Sequence, residues 1–404
     1  MKKILYVSRA GLPITAPGIR ITQIGNLYEL LGYKVHYICN VRINEQIENL
    51  GYEQLFLKDN EDLNSKEIHY FFNNKVYSYL PRFSGGKINA IKEIIELIFA
   101  SREYKRIINY CQKEKPIAIV LYNDVFSLTK KLIKYCRKNN IKLLADVTEW
   151  YEKRRDATIA EKILIALTDK RIKKNDEMLD GIIAISKYFE NYYKKKKVKC
   201  IWVPPLIDFN MNKLTVKHDY DKNQCINFIY AGSPGSKDIL LPFINAMIKI
   251  NKNKLRCKLE LIGIDKLYLE NYGLYNIEKY GIRAHGRVMH EEVLKYMKKA
   301  DFGILLRKNE RYAKAGFSTK FVECMGMGVP MICNKIGGTD LFVKNWENGI
   351  LIDDYEEETI IKLLEVILQI DLEQLFKMKE NAFNDAKKYF DAKNYINQLS
   401  SLLS

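Results

Sequence analysis

Ala315-Gly-Phe-Ser-Thr-Lys-Phe-Val-Glu323, running on through Cys-Met-Gly-Met-Gly-Val-Pro330, decides how the chain is read. The stretch predicts a loop that becomes a helix. Past Gly326 and Gly328 comes a tight turn, and Pro330 opens a short apolar strand over 331–333. Gly316, Phe317, Ser318 and Thr319 stand where the helix begins. The first N–H groups of a helix have no partner within it, a hydroxyl caps one of them, and the dipole favours negative charge. Such a terminus is an anion site. Lys320 and Glu323, three residues apart, share one helix face. The cation suits a phosphate and the carboxylate suits a pair of sugar hydroxyls. The bland alternative is a helix that merely packs on a sheet, with Lys320 and Glu323 as a surface pair.

Outward from this stretch, apolar strands alternate with helices. Upstream, strands are expected over 3–8, 34–39, 52–57, 75–80, 117–122, 142–147, 181–186 and 199–203. Helices are expected over 19–31, 88–111 and 187–195, with a basic helix carrying Lys130, Lys131, Lys134, Arg137 and Lys138, and a helical region reaching 179. The polar run 58–66 reads as a surface loop. After Pro204-Pro205 and a polar stretch over 210–223 the pattern restarts. Strands over 226–231, 259–263, 282–286 and 302–306 are interleaved with helices over 238–249 and 291–299. Helices over 356–370 and from 372 to the end, interrupted near Asp391, complete the chain. Buried strands that alternate with helices give an α/β fold with mostly parallel sheets covered on both faces. The expectation is therefore two doubly wound Rossmann-like domains facing across a cleft, with boundaries at 1–206 and 207–384. A C-terminal helix, 385–404, returns to the first domain.

The 404 residues, 47% hydrophobic, are too many for one ordinary domain. Lys2 and Lys3 precede an apolar run too short for a signal peptide, and no run approaches a membrane span. The eight cysteines are scattered without a Cys-x-x-Cys pair, which reads as reduced, buried thiols in a cytoplasmic protein. The five histidines show no metal-ligand spacing, so no metal or other cofactor is expected. The net charge of +17 implies an anionic partner: a phosphorylated substrate, an acidic membrane face or a nucleic acid. Aromatic residues are not interleaved with the basic runs, which argues against nucleic acid. Two readings of the surplus remain, a peripheral place on the inner membrane face and a Lys-rich drift of the surface. The helix over 88–111 carries the same pair of readings, an amphipathic membrane helix with basic flanks or an ordinary sheet-covering helix.

Open α/β sheets place ligands at the carboxyl ends of their strands. In the first half, Gly11, Gly18 and Arg20 follow one strand, Asn123-Asp124 another, and Thr148-Glu149-Trp150 a third. Gly18, Arg20, Asp124 and Glu149 are the candidates for holding an acceptor. In the second half, Gly232-Ser-Pro-Gly-Ser-Lys237 is a Gly-containing turn that lacks P-loop spacing, Gly286-Arg287-Val288 ends a strand, and Arg307 ends another.

These features in this order resemble the donor domain of family 4 glycosyltransferases with the GT-B fold. The resemblance is carried by the Gly232-to-Lys237 loop, Gly286-Arg-Val288, Ala300-Asp-Phe-Gly-Ile-Leu-Leu306, the opening stretch, Gly337-Gly338 and Glu347-Asn-Gly-Ile-Leu-Ile-Asp353. It implies retaining transfer of a sugar from a UDP- or GDP-sugar to a hydroxyl, without a bound metal. By position, Lys237, Lys320 and Glu323 would carry the chemistry. Lys237 would contact the diphosphate, Glu323 would hold the ribose hydroxyls, and Gly316 to Thr319 would give amides to the diphosphate. Val288 would meet the base through its backbone, with Gly232, Ser233, Arg287 and Arg307 completing the donor set. The chain departs from the family at Ser233, where Arg is usual, and at Ala315, where many members carry a Glu that touches the donor sugar. Lys320, in a Ser-x-Lys-x-x-Glu arrangement found in one branch, would pair with the diphosphate. The expected partners are a nucleotide sugar, a glycan or lipid-linked acceptor of a cell-surface polysaccharide, and an anionic membrane surface. A nucleotide-sugar epimerase and a non-catalytic nucleotide-sugar or polyanion-binding protein are the alternatives.

Overall fold

In a computed structural model of the protein, which describes residues 1–9, 15–39, 57–62, 67–72, 75–79, 86–152, 157–209, 225–235 and 237–404, the strands form two sheets. The chain divides into two compact units, Met1–Pro204 with Ala392–Ser404, and Pro205–Asp391.

The first unit holds β1 (Lys3–Ser8), β2 (Lys34–Cys39), β3 (Leu57–Asp62), β4 (Glu67–Phe72), β5 (Lys75–Tyr79), β6 (Ala118–Tyr122), β7 (Lys142–Val147), β8 (Gly181–Ala184) and β9 (Cys200–Trp202). Their order in the sheet is β3-β4-β5-β2-β1-β6-β7-β8-β9. Pairing is parallel from β5 to β9 and antiparallel where β4 joins β3 and β5. All five side chains of β6 are buried, as a central parallel strand covered on both faces requires. Leu402, from the terminal helix Ile396–Leu403, lies so close to Gly181 that a Cβ there would stand 2.7 Å from it.

Four local expectations are corrected. The polar run 58–66 contains a strand rather than a loop only, because Leu57–Asp62 pairs with β4 at the sheet edge, where charged residues are at home. The single helix over 88–111 is two, Gly86–Phe99 and Ser101–Glu114, broken at Ala100 with φ +47°. The first helix begins at Ala16, since Thr15 caps it by accepting from the Gly18 amide at 3.3 Å and Pro17 fits its first turn. The helix expected from 238 begins at Leu241, because Asp238 bridges to Arg307 and the Ile239 amide donates to Leu306. Gly11, most of the 52–57 strand and the 210–223 linker lie outside the described residues.

The second unit has six parallel strands, β10 (Ile226–Ala231), β11 (Cys257–Ile262), β12 (Ile282–Gly286), β13 (Phe302–Leu305), β14 (Met331–Asn334) and β15 (Gly349–Ile352). Their order is β12-β11-β10-β13-β14-β15. The chain runs outward from β10, returns to its other side at β13 and runs outward again. The switch point of this sheet is therefore the gap between the carboxyl ends of β10 and β13, where open sheets bind ligands. Phe228, Phe243 and Phe302 pack together beneath it. The buried Lys379 anchors the helix Leu372–Phe390 by donating to the Ala300 carbonyl and to Asp301.

Candidate active site

Strand β10 ends in Tyr230 and Ala231, and the backbone turns at Gly232 with φ +132°, a conformation L side chains rarely adopt. A Cβ at Gly232 would stand 3.0 Å from Cε and 3.1 Å from Nζ of Lys320. The loop after β10 and the helix Thr319–Gly326 therefore meet, and the lysine lies across the glycine. Lys320 Nζ donates to Tyr230 Oη at 2.6 Å and to Asp238 Oδ2. It also lies 4.1 Å from the centre of the Tyr230 ring. Tyr230 donates to Asp238 at 2.7 Å, and Arg307, past the end of β13, donates to the other Asp238 oxygen at 2.9 Å. Asp238 is thus the hub of one acceptor and three donors at the switch point.

The electrostatics follow from this packing. Burial lowers Lys320 to about 8, against the opposing pull of Asp238. Burial pushes the Asp238 carboxyl up, but Lys320 and Arg307 outweigh it and hold the group below the usual range. Burial, then the Asp238 carboxylate, raises Tyr230 and keeps it neutral, so it relays a hydrogen bond from Lys320 to Asp238.

The helix start leaves amides free in its first turn. Ser318 accepts from the Phe321 amide at 3.3 Å, which leaves the Thr319 and Lys320 amides of the first turn without an intrahelical partner. Phe317 fixes the loop to the core through Phe321, Phe342 and Phe390, with ring centres 5.4 to 6.0 Å apart. Gly337, at φ +72°, lies against the Ala313 carbonyl, where a Cβ would stand 2.9 Å away. The Arg307 peptide is held on both sides by Asn334, which accepts from its amide at 3.0 Å and donates to its carbonyl at 2.7 Å.

The structure brings Gly232, Arg307 and Lys320 together. Lys237 lies in the same loop, with Nζ 5.4 Å from the Tyr312 ring centre, and Ser233 there is exposed. Glu323 is half-buried, one turn along from Lys320. Gly316 and Phe317 precede the cap Ser318, and Thr319 opens the helix. Ala315 is fully buried at the end of the short helix Arg311–Ala315. Arg287 is exposed and Val288 half-buried just past β12. Sequence reasoning missed Asp238 and Tyr230. The available signal was an acid one residue after Lys237 and a polar aromatic at the end of a mostly apolar strand.

In the first unit, Arg20 is buried and donates to both Asp146 oxygens at 2.7 to 3.1 Å and to the carbonyls of Val203 and Pro204. Asp124 is buried beside Glu103 and Arg9. Gly18 sits in the first turn of its helix, and Glu149 is half-buried past β7. Among the described residues no group of three His, Cys, Asp or Glu is placed to hold a metal ion. All eight cysteines are free thiols.

Residues 228–385 match the family described as Glycosyl transferases group 1. Over these residues the chain is similar to the group 1 glycosyl transferases. The match spans the strands from β10 to β15, so it contains the Lys320–Asp238–Arg307 hub. No curated protein matches the chain in sequence. Solved structures match over its whole length. Sucrose-phosphate synthase from Thermosynechococcus elongatus is 15% identical with a TM-score of 0.72, covering 100% of this chain and 98% of that one. Anabaena HepE in complex with UDP and glucose is 12% identical at 0.64, covering 100% and 99%. The catalytic domain of starch synthase IV from Arabidopsis thaliana, bound to ADP and acarbose, is 12% identical at 0.65, covering 100% and 98%. At these identities the likeness fixes the fold, which is GT-B. The group 1 glycosyltransferases are nucleotide-sugar dependent and this family is a retaining one.

Proposed function

We propose that this protein is a glycosyltransferase that binds a UDP- or GDP-sugar in its second unit and moves the sugar, with retention and without a metal, to a hydroxyl of a glycan or lipid-linked acceptor in cell-surface polysaccharide assembly. The observation that carries the donor reading is the meeting of Lys320, Asp238, Arg307 and Gly232 at the switch point of β10 and β13. Lys320 and Lys237, with the Thr319 and Lys320 amides, stabilise the charge that builds on the departing diphosphate. Arg307 acts through Asp238, which aims Lys320. Glu323 accepts from the ribose hydroxyls, and the backbone at Val288 meets the base. The acceptor lies with the first unit, near Gly18 and Glu149, while Arg20 and Asp124 hold the strand ends that carry them. The basic balance favours a negatively charged membrane surface, reached from the cytoplasm, as the place of work.

Thermal shift with a panel of nucleotides tests the donor reading. Stabilisation by UDP or GDP and their sugars, persisting in EDTA, is expected. A panel that leaves the melting temperature unchanged would sink it. Nucleoside diphosphate released only when acceptor is present separates a transferase from an epimerase, and its absence with every acceptor favours a binding protein.

A further inference from the structure

The helix Gly86–Phe99 turns its apolar stripe outward. Ile88, Ile91, Ile95, Ile98 and Phe99 are 43 to 71% exposed, while Leu97 faces the protein interior. At 100° per residue these five fall within about a third of a turn, the width of an amphipathic face. Lys87 and Lys92, both exposed, border that face on either side. Lys131 donates to the Phe99 carbonyl at 2.5 Å and so stands at its far end. The acid nearest the stripe, Glu96, is engaged elsewhere, accepting from the amides of Arg102 and Glu103 at 2.9 and 3.0 Å. The neighbouring helix Ile159–Lys174 begins with a further isoleucine, Ile159, 71% exposed.

Most of the charge surplus lies in the same unit. Met1–Pro204 with Ala392–Ser404 carries 38 Lys and Arg against 23 Asp and Glu, a surplus of 15 out of the chain's 17. Pro205–Asp391 carries 28 against 26. Drift toward lysine would load both units alike. A surplus held by the unit that also bears an exposed aliphatic stripe bordered by lysines suits something both anionic and apolar.

We propose that the Gly86–Phe99 helix docks the first unit on an anionic phospholipid surface. The five apolar side chains enter the headgroup–acyl boundary, and Lys87, Lys92 and Lys131 pair with lipid phosphates. This deepens the membrane-surface reading above by naming the face that makes the contact. A nucleic acid would find cations here but no aromatic stacking platform, and a second copy of the chain would bring its own positive charge against these lysines.

Co-sedimentation of the full chain with phosphatidylglycerol–phosphatidylcholine vesicles and with phosphatidylcholine alone tests it. The wild type is expected to bind the anionic vesicles and release as salt rises. Ile91→Asp/Ile95→Asp is expected to lower partition by about tenfold or more. Lys87→Glu/Lys92→Glu is expected to lower it by about fivefold per lysine at low salt. UDP- or GDP-sugar binding in solution, read on the same samples, should be unchanged and certifies the fold. Wild-type binding that both variants retain overturns this face while leaving the membrane reading standing. No wild-type binding, or a dimer in solution that Ile91→Asp/Ile95→Asp abolishes, overturns both and leaves the donor site untouched.

Discussion

The two sheets reverse direction at equivalent places, between β1 and β6 in one and between β10 and β13 in the other, and both places hold charged side chains. They are used differently. In the first unit the charges lie buried against one another, several of their nitrogens and oxygens with no hydrogen-bond partner among the described residues. Arg9 lies 3.5 Å from Glu103 and 3.9 Å from Asp124, Arg171 donates to the Asp124 carbonyl at 2.9 Å, and Asp146 next door is saturated by Arg20 and Tyr6. All these groups except Arg9 are fully or almost fully buried. In the second unit a single carboxylate, Asp238, gathers donors from Tyr230, Arg307 and Lys320. Lys320 has three ammonium hydrogens and, among the described residues, two hydrogen-bond acceptors, and its side chain stays 13% exposed. A network buried among strand ends holds them in place; one with an ammonium at its rim and the amides of a helix start beside it is suited to an anion.

That contrast is broken most severely from the scaffold side. Asp146→Ala leaves the buried Arg20 uncompensated, an expected loss of about 3–5 kcal/mol of stability. Chemical denaturation of the variant and the wild type measures it. A loss below about 1 kcal/mol would mean that water or a shift of Arg20 replaces the carboxylate, and the first switch point would then be as open as the second.

On the donor side the expected effect is smaller and kinetic. Lys320→Ala should lower donor kcat/KM by more than about tenfold, the scale of one charge-assisted contact to a leaving group. Because Lys320 sits at about 8 in the free protein, its ammonium is present below that pH and lost above it. Wild-type kcat/KM should therefore fall as pH rises through about 8, and Lys320→Ala should lack this limb. A limb that persists in the variant assigns the titration to another group.

How much of this was legible in the sequence follows the same division. The second unit was read nearly strand by strand, because its glycines, its Pro330 and its Ser318 cap are local signals with local consequences. The interruption near Asp391 was legible for the same reason. Edge strand β3 was not, because it exists through pairing with β4 rather than through its own propensity. Nor was the break at Ala100, a residue that favours helix. Arg20 and Lys320 look alike as cations near a helix start. Only the partners tell them apart, and those lie 126 residues away for Arg20 and 82 for Lys320. Asp238 was missed because an acid one residue after Lys237 becomes a hub only through Arg307 and Lys320, 69 and 82 residues away.

The finest probe of the comparison is Asp124, which follows β6 at the first switch point as Asp238 follows β10 at the second. Burial pushes its carboxyl up to about 7, and the Glu103 carboxylate adds to the rise against Arg9 and Arg171. Asp238, with three donors, goes the other way. The folded state thus holds the Asp124 proton more tightly than the unfolded state does, so its contribution favours folding at low pH and fades as pH rises from about 4 to about 7. Asn keeps the shape and cannot ionise. Asp124→Asn should match the wild type near pH 4 and gain on it by on the order of 1 kcal/mol by pH 8, a modest figure because the amide also gives up the attraction of Arg9 and Arg171. Melting curves across this pH range measure the gap. A variant that instead loses ground as pH rises would show an ionised Asp124 stabilised by its arginines, and the two switch points would then be held by the same device.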